Sequence, residues 1–271
     1  MARGEMLVRG AALAGALATC ACLQPPPVDD GAVSVASVSD GELSLELLVR
    51  GSTSLRAGRN TILLALHDDA TDEPVRAATI TQAWQMSMPD VTHGCPARNP
   101  PSTTSDDGRY PASVVLPMAS STTAIWSNRV TVAAAGGAEH LLVFTELPVA
   151  PSDRAITLEA DDDRSYLVTL SFAEGAGDTL APTLGANPYI LTVHEQSGAM
   201  SYTPADDVAV QVSADMPAMG HGADTPAPPA YDAEGEYAGT VELSMAGAWR
   251  VSFALSRAGA QLGVVAFDVS I

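Results

Sequence analysis

Two peptides in this chain combine a thioether with an imidazole in one frame. Met88-Pro89-Asp90-Val91-Thr92-His93-Gly94 and Met216-Pro217-Ala218-Met219-Gly220-His221-Gly222 both read Met-Pro-x-x-x-His-Gly. Methionine sulfur is soft, uncharged and cannot be consumed in a disulfide. In an oxidising compartment it therefore suits Cu(I) better than cysteine does, and imidazole accepts either copper oxidation state. The second peptide is the richer one, because Met216, Met219 and His221 fall within six residues. Pro217 narrows the backbone while Gly220 and Gly222 permit a tight turn, so one loop can aim three ligands at one point. These three are the candidate copper ligands, with Met245 and His194 as weaker additions. In the first peptide Val91 stands where Met219 stands in the second. That leaves Met88 and His93, with Met86 and Cys95 nearby, as a weaker set. The structural alternative is that each Met-Pro turn plugs the end of a sandwich. Met245 is then a core residue, and His67 and His194 are strand-end residues with ordinary hydrogen bonds.

The peptides belong to a longer series of matches. Asn60 to His67 (NTILLALH) matches Asn187 to His194 (NPYILTVH). Gly108-Arg109-Tyr110 matches Gly235-Glu236-Tyr237, and from each tyrosine Tyr-x-x-x-Val-x-Leu-x-Met runs to Met118 or Met245. A tryptophan follows each, Trp126 and Trp249, with four extra residues in the first copy. An ordered series of this kind reads as an internal duplication, and two copies are too few for a solenoid. The expected domains are residues 41–150 and 163–271, joined by a linker over 151–162.

The elements that position these residues read as strands. Leu43 to Val49, Tyr166 to Phe172, Val208 to Val212 and Val241 to Met245 alternate apolar and polar residues. Gly, Pro, Asp and Asn clusters bound them at intervals of about ten residues, as in antiparallel sandwiches. A helix over 65–83 is disfavoured by its Asp and Pro content. The expected fold is all-β, two tandem immunoglobulin-like antiparallel sandwiches.

The N-terminus reads as an address. Arg3 and Arg9 flank an apolar stretch, Ala11 to Ala18, of signal-peptide length and too short to span a bilayer. It ends in Leu17-Ala18-Thr19-Cys20, which resembles a bacterial lipobox with Thr where a smaller residue is usual. Residues 1–22 are the expected signal peptide. Cys20 is the expected lipidation site and Cys22 the alternative, which would anchor the protein to a membrane on its exported side. Residues 23–40, opening with Pro25-Pro26-Pro27, read as a Pro-rich acidic tether. Beyond them only Cys95 remains, so no disulfide framework supports the fold; with Cys20 lipidated, Cys22 has Cys95 as its only candidate partner. A net charge of −19 argues against nucleic acid, whose phosphates demand basic patches. Paired aspartates such as Asp206-Asp207 lack calcium-loop spacing and read as solvated turns. No nucleophile, zincin or phosphate-loop motif is present, and an enzyme is not expected.

The second copy resembles the YtkA-like (FixH-like) domain of exported bacterial proteins. The resemblance rests on Met-Pro-Ala-Met-Gly-His at 216–221, Gly235-Glu236-Tyr237-Ala238-Gly239 and Met245-Ala246-Gly247-Ala248-Trp249. It covers 165–271 well and 43–150 loosely, where Met118-Ala119-Ser120 degrades the last signature. It implies a small immunoglobulin-like sandwich, a ligand role for Met216, Met219 and His221, and a setting of copper handling and respiratory-oxidase assembly. The function expected is an exported binding protein that holds copper for sensing, buffering or delivery. The other reading is a metal-free envelope module that binds a protein partner.

Overall fold

The computed structural model describes residues 31–104, 107–134, 136–160, 163–172, 181–199, 201–223 and 226–271. The expected signal peptide, Cys20, Cys22 and the proline run lie outside the described residues. The first half consists of β1 (Val33–Ser39), β2 (Leu43–Val49), β3 (Leu55–Arg56), β4 (Gly58–Asp68), β5 (Ala78–Ser87), β6 (Thr92–Gly94), β7 (Ala97–Arg98), β8 (Arg109–Leu116), β9 (Ile125–Ala134), β10 (Glu139–Leu147) and β11 (Val149–Ala150). The second consists of β12 (Ala155–Glu159), β13 (Ser165–Phe172), β14 (Gly185–Gly198), β15 (Ser201–Pro204), β16 (Val208–Met216), β17 (His221–Gly222), β18 (Ala230–Tyr231), β19 (Glu236–Leu243), β20 (Ala248–Arg257) and β21 (Ala260–Ser270). The described residues are thus all-β, and 65–83, where a helix was disfavoured, is strand and turn.

Two sheets in each half follow one plan. The order β1-β2-β4-β8-β7 in the first half corresponds to β12-β13-β14-β19-β18 in the second, where β15 also pairs with β14. The order β10-β9-β5-β6 corresponds to β21-β20-β16-β17. These pairings are antiparallel; β11 with β3 is the one parallel pair among the described strands. Alternation drives the layering. In β16, Val208, Val210, Val212, Ala214 and Met216 are buried, while Ala209, Gln211 and Ser213 are exposed. One apolar cluster takes Leu45, Leu64 and Val114 from the first sheet and Ile80, Val130 and Phe144 from the second. It therefore fills the space between the two sheets. A second cluster does the same with Val168, Leu191, Val212 and Phe253.

Single hydrogen bonds recur at matching positions. Asn60 Nδ2 donates to the carbonyls of Arg56 and Gly58, and its Oδ1 accepts from Arg56 N–H. Asn187 makes the same three bonds to Thr183 and Gly185. Leu66 N–H donates to Gly108 O and Val193 N–H to Gly235 O. Both glycines have positive φ, and at either a Cβ would lie 2.6 Å from its neighbour, Pro74 Cβ or Val193 O. Trp126 Nε1–H donates to Met118 O at 3.0 Å and Trp249 Nε1–H to Met245 O at 2.9 Å.

Two boundaries differ from expectation. Within the tether expected over 23–40, Val33–Ser39 is instead a strand that pairs with β2 and packs Val35 and Val38 on the first cluster. The linker expected over 151–162 contains β12, whose Ile156 and Leu158 alternate onto the second cluster. Both are edge strands that follow proline, and the composition before each masks a short alternation.

Candidate functional site

The hairpin between β16 and β17 holds the three leading ligand candidates. Met216 and His221 stand directly opposite each other. Opposed residues of an antiparallel pair leave the same face, with Cβ atoms roughly 4.5–5.5 Å apart. Met219 N–H donates to Met216 O at 3.0 Å, closing a turn with Pro217 in the position that favours proline. Gly220 follows with φ +59°. The turn leaves Met219 64% exposed and His221 exposed, while Met216 is only 4% exposed. Met216 ends the inward row of β16, and its Cε would lie 2.7 Å from a Cβ at Gly247. Met245 is half-buried against the same cluster. The Gly247 contact and the Met245 carbonyl on Trp249 hold Met245 and Met216 at the same end of the half.

His194 is not part of that group. It lies near the far end of β14, opposite Leu167 and Pro204, whereas Gly185 at the near end pairs with Leu243 beside Met245. Nine residues of strand at roughly 3.3 Å each separate the two ends by about 30 Å.

In the first half the register alters the alignment. His93 stands opposite Met86, not Met88, and Met86 in turn stands opposite Trp126. In the second half Asp215 stands opposite Arg250, which sets Met216 beside Trp249. Met86, fully buried, is therefore the counterpart of Met216. The first hairpin is one residue pair longer, since Ser87 and Thr92 close it. Met88 belongs to its turn, with its N–H bonded to Val91 O, and is half-buried. Met118, the counterpart of Met245, is exposed. The role of Met86 could have been read from its alternate spacing with Trp84 in a β-rich run; the nearby Met88-Pro89 imitated the second peptide too well.

The halves join head to tail. Arg59, at the Met118 end of the first half, pairs with Glu236, at the His194 end of the second. Their Nε–Oε1 distance is 2.8 Å, and the side chains are 14% and 11% exposed. Gly94 N–H donates to Ala199 O, and Arg98 pairs with Glu234 at 3.4 Å. A cleft of about 470 Å³ between them is lined by Cys95, Arg98, His194, Tyr202, Glu234 and Glu236. His194 is 5% exposed and its Nδ1 has no hydrogen-bond partner. Burial lowers its pKa to about 4, against the opposing pull of the Glu234 carbonyl and the Glu236 charge. Burial also pushes the Cys95 thiol well above its ordinary value, which keeps it protonated and a poor ligand. The short linker read from the sequence allows the two domains to pack together, but no sequence signal pointed to Arg59, Glu236 and His194 as the residues that meet there.

Among the described residues, no group of three or more His, Cys, Asp and Glu side chains converges as a metal site. Met219 and His221 are exposed at the hairpin, with Met216 buried and Met245 half-buried at the same end; thioether and imidazole are donor types that suit Cu(I).

Residues 182–254 match the family model described as YtkA-like. That span holds Met216, Met219, His221, His194, Met245 and Trp249. No curated protein matches the chain. Among solved structures, a DUF4785 family protein from Legionella pneumophila matches at 11% identity and a TM-score of 0.27, covering 86% of this chain and 56% of that one. Red sea bream transglutaminase matches at 6% identity and 0.24, covering 84% of this chain and 31% of that one. The fibronectin(III)-like modules of Clostridium thermocellum CbhA match at 12% identity and 0.21, covering 83% and 93%. The chain thus spans about half the length of the first of these proteins and under a third of the second.

Proposed function

We propose that the protein is an exported, lipid-anchored copper-binding module built from two copies of one sandwich domain. The open end of the second copy is its metal site. Met219 and His221 meet the metal from the exposed turn, and Met216 and Met245 supply thioethers from beneath. The single observation that carries this reading is the opposition of Met216 and His221 across the hairpin, with Met219 exposed in the turn between them. The shared sheet order and the paired asparagine, glycine and tryptophan bonds support the duplication. Lipidation at Cys20 rests on the lipobox-like sequence. Copper sensing, buffering or delivery, with an envelope protein or respiratory-oxidase assembly factor as partner, is our reading of what the resemblance of the second half to YtkA-like domains implies. No catalytic role is assigned.

The test is an anaerobic Cu(I) titration of the chain lacking residues 1–22 against a competing chelator. One equivalent binds tightly. Met216→Leu with Met219→Leu weakens it by more than about tenfold, roughly 1.4 kcal/mol, while the fold survives because Met to Leu nearly conserves volume. Equal affinity in the two proteins overturns the site.

A second reading is favoured by the burial of Met216 against Gly247. In it the turn is a plug, the protein holds no metal, and the exposed end docks an envelope partner. Absence of Cu(I) binding selects it.

A further inference from the structure

Burial sorts the methionines into two kinds, and the β16–β17 hairpin holds one of each. Among the described methionines, Met86 is 0% and Met216 4% exposed, Met88 and Met245 are half-buried, and Met118 and Met219 are 42% and 64% exposed. The bond from Met219 N–H to Met216 O fixes the backbone of the turn while the Met219 side chain stays in solvent. Met216, three residues earlier, points into the apolar cluster of the second half and closes against Gly247. The first hairpin lacks this division. Val91 takes the place of Met219 in its sequence, and its own turn methionine, Met88, is half-buried.

A thioether reacts with hydrogen peroxide without first losing a proton. The sulfur lone pair attacks one peroxide oxygen, the O–O bond breaks, a sulfur–oxygen bond forms and water leaves. Sulfur gives up two electrons and the peroxide takes them. Access to the sulfur therefore decides which methionine reacts. The product differs in the property on which soft-metal binding depends, because a sulfoxide is polar and offers a hard oxygen in place of a soft sulfur. At Met219 this change leaves the fold alone, since the sulfoxide stays in water. At Met216 it would put a polar group without a partner into the core. The hairpin thus pairs a thioether that an oxidant reaches with one that the core shields. Exposure also leaves the Met219 sulfoxide within reach of the enzymes that reduce it, so the change is reversible.

We propose that Met219 is an oxidant-sensing site: hydrogen peroxide converts its thioether to the sulfoxide ahead of Met216 and Met245, and the hairpin then loses its hold on Cu(I). The inference rests on the copper reading and adds a means of regulating it.

The experiment treats the copper-free protein with graded hydrogen peroxide, maps the sulfoxides by peptide mass spectrometry, and measures Cu(I) affinity by anaerobic chelator competition once the peroxide is removed. Met219 and Met118 oxidise first, and Met216 and Met86 last. Affinity falls by about tenfold or more as Met219 is consumed, the midpoint of unfolding stays that of the untreated protein, and a methionine sulfoxide reductase restores binding. Met118→Leu removes the exposed thioether of the first half and leaves the fall in affinity as it was. Met219→Leu binds as weakly before peroxide as after it. Oxidation of Met216 in step with Met219, a falling unfolding midpoint, or unchanged affinity once Met219 is fully oxidised overturns the proposal and leaves the copper reading standing. Absence of Cu(I) binding before any peroxide is added overturns the copper reading itself, and the switch with it.

Discussion

The two Met/His ends stand on the same frame and meet different surroundings. In each half an inward methionine faces the hairpin histidine, and a tryptophan N–H is tied to the carbonyl of a further methionine. In the first half that end abuts the second half, with Gly94 bonded to Ala199 and Arg59 to Glu236. In the second half the hairpin ends in the exposed Met219 and His221. The opposite ends differ as well. His67 is 35% exposed and pairs with Asp72 at 3.4 Å, while its counterpart His194 is buried in the cleft at the junction. Where the halves meet head to tail, equivalent residues on similarly ordered strands thus take on different surroundings. Of the two Met/His hairpins, the one in the second half keeps an exposed methionine and an exposed histidine.

The largest expected effect comes from breaking the junction. Arg59→Ala leaves the Glu236 carboxylate nearly buried and without its cation, and removal of one partner of a buried pair costs about 3–5 kcal/mol. The matching position in the second half is Ala186, which is exposed, so Ala186→Arg should change stability by no more than about 0.5 kcal/mol. Chemical denaturation of the two variants checks this. If Arg59→Ala costs as little as Ala186→Arg, the halves are not coupled and the head-to-tail account of their differences fails.

The next effect separates the two histidines by pH. Above pH 6.5 the ring of His194 is neutral in both the folded and the unfolded chain. Between pH 6.5 and about 4 the unfolded chain binds a proton that the folded one refuses, so acid favours unfolding; below about 4 both are protonated and the loss saturates. The shift amounts to about 3 kcal/mol, lost progressively across that window. In His194→Gln this part of the slope of unfolding free energy against pH should vanish. An unchanged slope would mean that the junction does not hold the ring neutral. His67→Gln, which removes a largely exposed contact, should cost less than about 1 kcal/mol at neutral pH.

What the sequence disclosed follows from the kind of signal involved. Asn60 with Asn187, Gly108 with Gly235, and Tyr110 with Tyr237, whose hydroxyls donate to the Val75 and Val208 carbonyls, each serve a backbone need that few residue types meet, so the matching positions could be found from identities alone. The Met216, Met219 and His221 turn was legible for the same reason, since proline and glycine mark its geometry. The pairing of His93 with Met86 was not, because the longer first hairpin shifts the register while Met88-Pro89 preserves the motif. Strands β1 and β12 hid behind proline and acidic residues. The junction, with Arg59, Glu236 and the buried His194, depends on how one half meets the other, and no periodicity within either half records that.

The last comparison tests the sameness of the frame rather than its differences. Asn60 and Asn187 are 6% and 5% exposed, and each closes its loop with three hydrogen bonds to backbone groups four and two residues earlier. Replacement by alanine leaves two carbonyls and one N–H without their partner, and water reaching the loop recovers part of the loss. Each substitution should cost about 2 kcal/mol. Distant sites with no shared partners add to within roughly 0.5 kcal/mol, so the double variant should lose about 4 kcal/mol. Denaturant unfolding of the two single variants and the double one measures all three values. Equal single costs mean that the loops are interchangeable anchors on which each half hangs its Met/His end. A cost at Asn60 well above that at Asn187 would instead tie the first loop, which lines a cleft shared with residues of the second half, to the junction as well as to its own turn.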